Sequence, residues 1–116
     1  MVYSTSIIVD SYVVEHYIPK YYTWKDRILL YNEGVLIAKL EFYENDILIK
    51  AKSAKYPTHC TLCFEMSRFE AIVNTLRYEK PVFIAYEYNE ADNIIEWGRI
   101  GTDINRPESI GEQEGA

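Results

Sequence analysis

Apolar positions in the first half of the chain do not keep to one face. From Arg27 to Lys52 three predicted strands follow one another: Arg27–Tyr31, Val35–Tyr43 and Ile47–Lys52. They are separated by Asn32-Glu33-Gly34 and by Asn45-Asp46. A three-residue loop with Gly34 at positive φ would pair Leu30 with Leu36 and Ile28 with Ala38. A two-residue loop at Asn45-Asp46 would pair Phe42 with Ile49 and Leu40 with Ala51. Both registers give the same faces. One gathers Ile28, Leu30, Leu36, Ala38, Leu40, Phe42, Ile49 and Ala51, a core face. The other gathers Leu29, Tyr31, Val35, Ile37, Tyr43 and Leu48 toward one end, and Lys39, Glu41, Lys50 and Lys52 toward the other. An antiparallel sheet with one wet face alternates apolar and polar residues. The apolar half of this second face therefore calls for a cover.

The flanking segments complete an α+β pattern. Thr5–Ile18 is rich in β-branched and aromatic residues and reads as one long strand, bulged near Asp10-Ser11 where the alternation slips phase. Pro19 ends it. His59–Glu65 alternates, with Cys60, Leu62 and Phe64 inward. Phe69, Ile72, Val73 and Leu76 then recur at helical spacing. Ser67 and Glu70 fit a capping box, and Pro81 stops the helix, predicting it over about 67–80. Val82–Tyr88 is a nearly continuous apolar strand, returned by Ile94–Thr102 after a polar turn. The expected fold is a five-stranded antiparallel meander, one amphipathic helix and a terminal β-hairpin. Residues 1–102 are expected to form one domain and 103–116 an acidic, mobile tail.

Composition narrows the function classes. With 116 residues, one domain is expected, large enough to need no disulfide or metal staple. No apolar run approaches the ~20 residues of a membrane-spanning helix, and no signal peptide is evident, so a cytoplasmic protein without a membrane partner is expected. The net charge of −6 is unevenly placed. Acidic and basic side chains balance over residues 1–86, and all the excess lies in 87–116. That distribution disfavours generic duplex binding, which shows as a basic domain. Eleven tyrosines suit half-exposed strand positions, and also a stacking or protein-binding face.

Recognisable chemistry is sparse. Cys60-Thr-Leu-Cys63 has redox spacing, but on a strand its thiols point to opposite faces and do not open a helix. Zinc would need further ligands, and only His16 and His59 are on offer. His59 and Cys63 share a strand face without an oxyanion site or an orienting third group. No dinucleotide, Walker or zincin motif is present. The expectation is a protein that is not an enzyme and carries neither metal nor cofactor.

From Leu76 to Val82 the chain reads Leu-Arg-Tyr-Glu-Lys-Pro-Val, and from Ile110 to Gly115 it reads Ile-Gly-Glu-Gln-Glu-Gly. This end resembles a pattern in small uncharacterised bacterial proteins, where a helix ending Leu-Arg-x-Glu-Lys-Pro precedes a strand and a Gly/Glu-rich end. The resemblance covers about the last third of the chain. It implies no activity, and it implies that the tail is more than a loose end.

Two functional expectations follow. The first is a non-catalytic interaction protein or small accessory protein, self-association included, using Leu29, Val35, Ile37 and Leu48. Its bland rival is that the chain's own N-terminal strand or terminal hairpin covers that patch. The second is single-stranded nucleic-acid binding through Tyr31, Lys39, Tyr43, Lys50 and Lys52, with lysines on phosphates and aromatics under bases.

Overall fold

The computed structural model describes residues 2–16, 26–44 and 53–102. The protein is an α+β sandwich of two sheets, with one α-helix among the described residues. The strands are β1 (Val2–Val9), β2 (Ser11–His16), β3 (Asp26–Asn32), β4 (Val35–Tyr43), β5 (Ala54–Lys55), β6 (Cys60–Glu65), β7 (Val82–Asn89) and β8 (Ile95–Thr102). Helix α1 (Phe69–Tyr78) lies between β6 and β7. One sheet has the order β1-β7-β8, and the other β2-β3-β4-β6-β5.

The first predicted strand is two strands. Its phase slip at Asp10-Ser11 marks the point where the chain leaves one sheet and enters the other: β1 pairs with β7, and β2 with β3. Alternation must reset there because the core lies on opposite sides of the two sheets. Val9 belongs to the buried core before the switch, and Tyr12 and Val14 pack against that core after it.

The two sheets also meet at the opposite side. Ala54 forms an isolated bridge with Ile94, the Lys55 N–H donates to the Asn93 carbonyl at 2.7 Å, and the Ile95 N–H donates to the Ser53 carbonyl at 3.1 Å. The sandwich is thus joined along both sides, by chain continuity at Asp10 and by backbone bonds at Ser53–Lys55. Joining covers edges that would otherwise leave unpaired backbone groups.

The predicted meander is replaced by a mixed sheet. Over Ala38–Tyr43, β4 pairs with β6 in parallel, Ala38 opposite Cys60 and Phe42 opposite Phe64, while β3 occupies its other edge. Both edges of this part of β4 are therefore taken. The predicted third strand, Ile47–Lys52, lies outside the described residues. The terminal hairpin is present as β7 and β8, closed by a turn in which Asn93 takes φ +59°.

The β3–β4 turn is tighter than the spacing suggests. Glu33 and Gly34 both have positive φ, 49° and 77°, and Asn32 pairs directly with Val35. Positive φ at both central residues defines the type I′ turn, whose twist matches the flanking strands. The extra residue reappears as a bulge opposite Leu30/Tyr31, so Leu30 pairs with Ala38 and Ile28 with Leu40 rather than with Leu36 and Ala38. Below the bulge the predicted core face holds. Above it Leu36 shares a row with Tyr31, and Ile37 joins the core.

The core lies between the sheets. Ile28, Leu30, Leu40 and Phe42 from one face Val82, Ile84 and Tyr86 from the other. Leu62 of β6 and Gly98 of β8 show how close the approach is. A Cβ on Gly98 would stand 2.9 Å from Leu62 Cδ2. Helix α1 adds Ile72 to this core, with Phe69, Val73 and Leu76 packed against it, as its apolar stripe requires. Phe69 meets Phe42 edge-on at 5.0 Å between ring centroids.

The capping box does not form. A 3-10 turn, Met66–Arg68, runs directly out of β6 and places Ser67 inside it, with its hydroxyl 3.5 Å from Glu65 Oε2. The extended N-cap position falls on Glu65, two residues too early for Ser67 to serve.

Candidate functional site

The predicted apolar patch is not assembled on one surface. Ile37 is 9% exposed and belongs to the core, Leu29 is half-buried in β3, and Val35 is exposed beside the turn. Leu48 lies outside the described residues. The predicted nucleic-acid residues are divided too. Tyr43 is 1% exposed, and its hydroxyl donates to Glu41 at 3.0 Å, so its ring cannot take a base. Tyr31 and Lys39 are half-buried, and Lys50 and Lys52 lie outside the described residues.

The second face of the five-stranded sheet is a polar row along its middle. Arg27 of β3 stands between Glu15 of β2 and Glu41 of β4 in register. Its guanidinium binds Glu15 Oε1 through Nη2 at 2.8 Å and Nε at 2.9 Å. Farther along, Tyr43, Thr61 and Cys63 on this face are buried. The face that called for a cover is closed at these positions.

The cysteine and histidine chemistry is muted. Cys60 and Cys63 are free thiols, both buried. Burial pushes the Cys60 thiol up to about 12, and the neighbouring Lys55 and a hydrogen bond with Tyr86 only partly oppose it. The Tyr86 phenol is likewise raised to about 12 by burial and by Cys60. A thiol held this way stays protonated at neutral pH and is a poor nucleophile. His59 stacks on Tyr56 at 5.1 Å, with Nδ1 3.0 Å from the Thr58 hydroxyl. Partial burial, then the charges of Lys39 and Lys55, lower its pKa below 6.5. Among the described residues no three His, Cys, Asp or Glu side chains are grouped to hold a metal. None of the described helices is long and apolar enough to cross a membrane.

An apolar surface exists elsewhere, on the outer face of the three-stranded sheet. Register places Ile8, Phe83 and Gly101 in one row, Ser6, Ala85 and Arg99 in the next, and Ser4, Glu87 and Trp97 in a third. Val2 continues this face. Val2, Ile8 and Trp97 are 62%, 54% and 48% exposed. Phe83 and Ala85 are buried in the central strand without joining the inter-sheet core. The Arg99 guanidinium lies over the Phe83 ring at 4.9 Å, a cation–π contact that also shields that ring. The signal for this face was the nearly unbroken apolar run Val82–Tyr88. A strand apolar on both sides needs a second cover as much as Arg27–Lys52 does.

A second feature is a cleft of about 790 Å3 where the β1–β2 corner meets the end of α1 and the start of β7. Tyr12, Leu76 and Val82 supply apolar wall, and Asp10, Glu79 and Lys80 supply charge. Comparison with protein-family models, curated proteins and solved structures returns no match for this chain.

Proposed function

We propose that this protein is a non-catalytic interaction module that self-associates through the outer face of its three-stranded sheet. One observation carries the reading: Val2, Ile8 and Trp97 stand exposed on one side of a sheet whose central strand adds Phe83 and Ala85 to the same side. Apolar groups gathered on one face are the usual mark of an interface. A second copy is the occupant that the charge pattern favours. Among the described side chains this face carries one acid, Glu87, and one base, Arg99, so the two faces meet without local net repulsion.

Size sets the strength. Three eight-residue strands, at ~4.8 Å spacing and ~3.3 Å per residue, project to roughly 380 Å2. Side-chain relief enlarges that area, but it stays near or below the ~800 Å2 per partner of a standard stable interface. The association is therefore weak and concentration-dependent. Amide spectra recorded over a dilution series test the surface. Shifts confined to Val2–Ile8, Phe83–Glu87 and Trp97–Gly101 support it. Shifts elsewhere, or none, contradict it.

A second reading is favoured by one group of residues. Lys39 and Lys55 both act on His59, which stacks on the exposed Tyr56. Lys55 also lies 5.8 Å from the centre of the Tyr88 ring, which stacks on Tyr3. Two lysines beside the exposed Tyr56 ring and its stacked, half-buried His59 could hold a single-stranded nucleic acid, with Lys39 retained from the predicted set and Tyr56 as the stacking ring. Fluorescence anisotropy of a labelled oligothymidylate at low salt tests it. Binding that weakens steeply with salt supports the reading, and a flat titration removes it.

A further inference from the structure

The cleft at the β1–β2 corner shares no residue with the proposed interface, and its polar groups are unequally satisfied. Each Asp10 oxygen already holds a donor. Its Oδ1 accepts the Ser11 hydroxyl at 3.1 Å, and its Oδ2 accepts the Glu33 N–H at 2.7 Å. Glu79 differs. It caps the C-terminal end of α1, its own N–H donating to the Thr75 carbonyl at 3.0 Å, and the residue borders the cleft. Its Oε2 is shut away from solvent and meets no hydrogen-bond donor among the described residues. A buried acceptor without a donor is expensive, and more so on a group that carries charge. The Glu79 carboxylate reaches a donor in the cleft only by swinging this oxygen out of its burial, and that movement removes the cost.

Charge and lining specify the donor. Among the described residues that line it, Asp10 and Glu79 are two acids against one base, Lys80, so this lining favours a cation. Tyr12, Leu76 and Val82 offer apolar wall for the rest of the molecule. Concave, mostly apolar sites with a few placed polar groups are the usual form of small-molecule sites. We propose that this cleft binds a small apolar molecule carrying a protonated amine, and that Glu79 recognises the amine. The amine donates to the Glu79 carboxylate in a charge-assisted hydrogen bond, and the apolar body lies against Tyr12 and Leu76.

The test uses the full chain and three probes of nearly equal shape: phenethylamine, 2-phenylethanol and phenylacetate. In amide spectra, phenethylamine is expected to shift residues Val9–Tyr12 and Leu76–Val82 saturably, and added salt to weaken it. The alcohol should bind less well, and phenylacetate should leave these amides unmoved. Glu79→Gln, with its fold checked from the same spectra, should bind phenethylamine roughly tenfold more weakly, the loss of one charge-assisted contact. Lys80→Gln removes the competing cation and should tighten binding. No saturable shift, equal binding of phenylacetate or of the alcohol, or unchanged affinity in Glu79→Gln overturns the proposal. Should Glu79→Gln fail to fold, weaker binding of the amine by Lys80→Gln does so.

Discussion

Asp10 and Glu33 are joined by a hydrogen bond of 2.7 Å, from the Glu33 backbone N–H to the Asp10 carboxylate. Asp10 is the residue at which the chain passes from one sheet to the other, and Glu33 opens the type I′ turn. The bond ties the sheet switch to the turn, and two neighbours reinforce it. The Asp10 N–H donates to the Tyr31 carbonyl at 3.0 Å, and the Asn32 side chain donates to the Ile8 carbonyl at 2.7 Å. Asp10→Ala removes this bond and the exposed one from the Ser11 hydroxyl, and is expected to cost about 1–2 kcal/mol. Urea unfolding measures it, and a cost near zero would show the corner to be held by its backbone bonds alone.

Glu33 itself is strained, since φ of 49° is disfavoured for a residue with a Cβ. Asn-Gly is the favoured pair for this turn. Glu33→Asn should therefore stabilise the protein by about 0.5–1 kcal/mol. A higher urea midpoint with unchanged slope is the expected result, and a lower midpoint would contradict the turn assignment.

These two residues also show how much of the fold was legible in the sequence. The phase slip at Asp10-Ser11 and the Asn-Glu-Gly loop were both visible. The first read as a bulge within one strand, and the second as a three-residue hairpin loop. Alternation reports which side of a strand is buried, but not which sheet supplies the burial, so a strand that changes sheets looks like a bulged strand. The parallel pairing of β4 with β6 was hidden for a related reason. Hairpin registers follow from turn length, whereas a parallel pairing depends on a crossover that leaves no local spacing signal. The helix stripe from Phe69 to Leu76 was fully legible, because periodicity there and burial in the structure are the same fact. The exposed outer face was half-legible. Phe83 and Ala85 announced it, but Ile8 and Trp97 join them only through cross-strand register.

Gly98 should be hard to replace. A methyl group there would meet Leu62 Cδ2 at 2.9 Å and Tyr86 Cβ at 3.5 Å. The tip of Leu62 can shift for Ala, but a branched side chain would force the two sheets apart. Gly98→Val is expected to destabilise by about 1–3 kcal/mol, with Gly98→Ala costing less. Equal stability of the valine variant would show that the sheets do not close on this point.

Acid should weaken the fold through His59. Burial, then Lys39 and Lys55, hold its folded pKa below the ordinary 6.5. The unfolded chain takes up the proton first, so this contribution is intact above pH 6.5 and is lost as pH falls through 6.5 toward the folded value. His59→Gln should flatten the fall in urea midpoint over that range. An unchanged profile would contradict the environment described for His59.

Alkali acts through Cys60 and Tyr86. Both are raised to about 12, from 9.0 and 10.0 respectively. The unfolded chain loses these protons first, so their contribution is intact below pH 9.0 and declines as pH rises toward 12. In a Cys63→Ala variant, the Cys60 thiol should resist an aromatic disulfide reagent until denaturant is added. Prompt labelling of the folded protein would show that Cys60 is neither buried nor protonated.

The interface is tested most directly by the molar mass of the protein in solution. Light scattering on wild type and Ile8→Lys, each over a range of concentrations, reads it. Ile8 is 54% exposed, so its replacement leaves the inter-sheet core intact. The wild-type mass is expected to rise with concentration from that of one 13.6 kDa chain toward that of two, while Ile8→Lys stays at one. A wild type that remains a single chain at every concentration, or a variant that associates as the wild type does, would contradict self-association through this face.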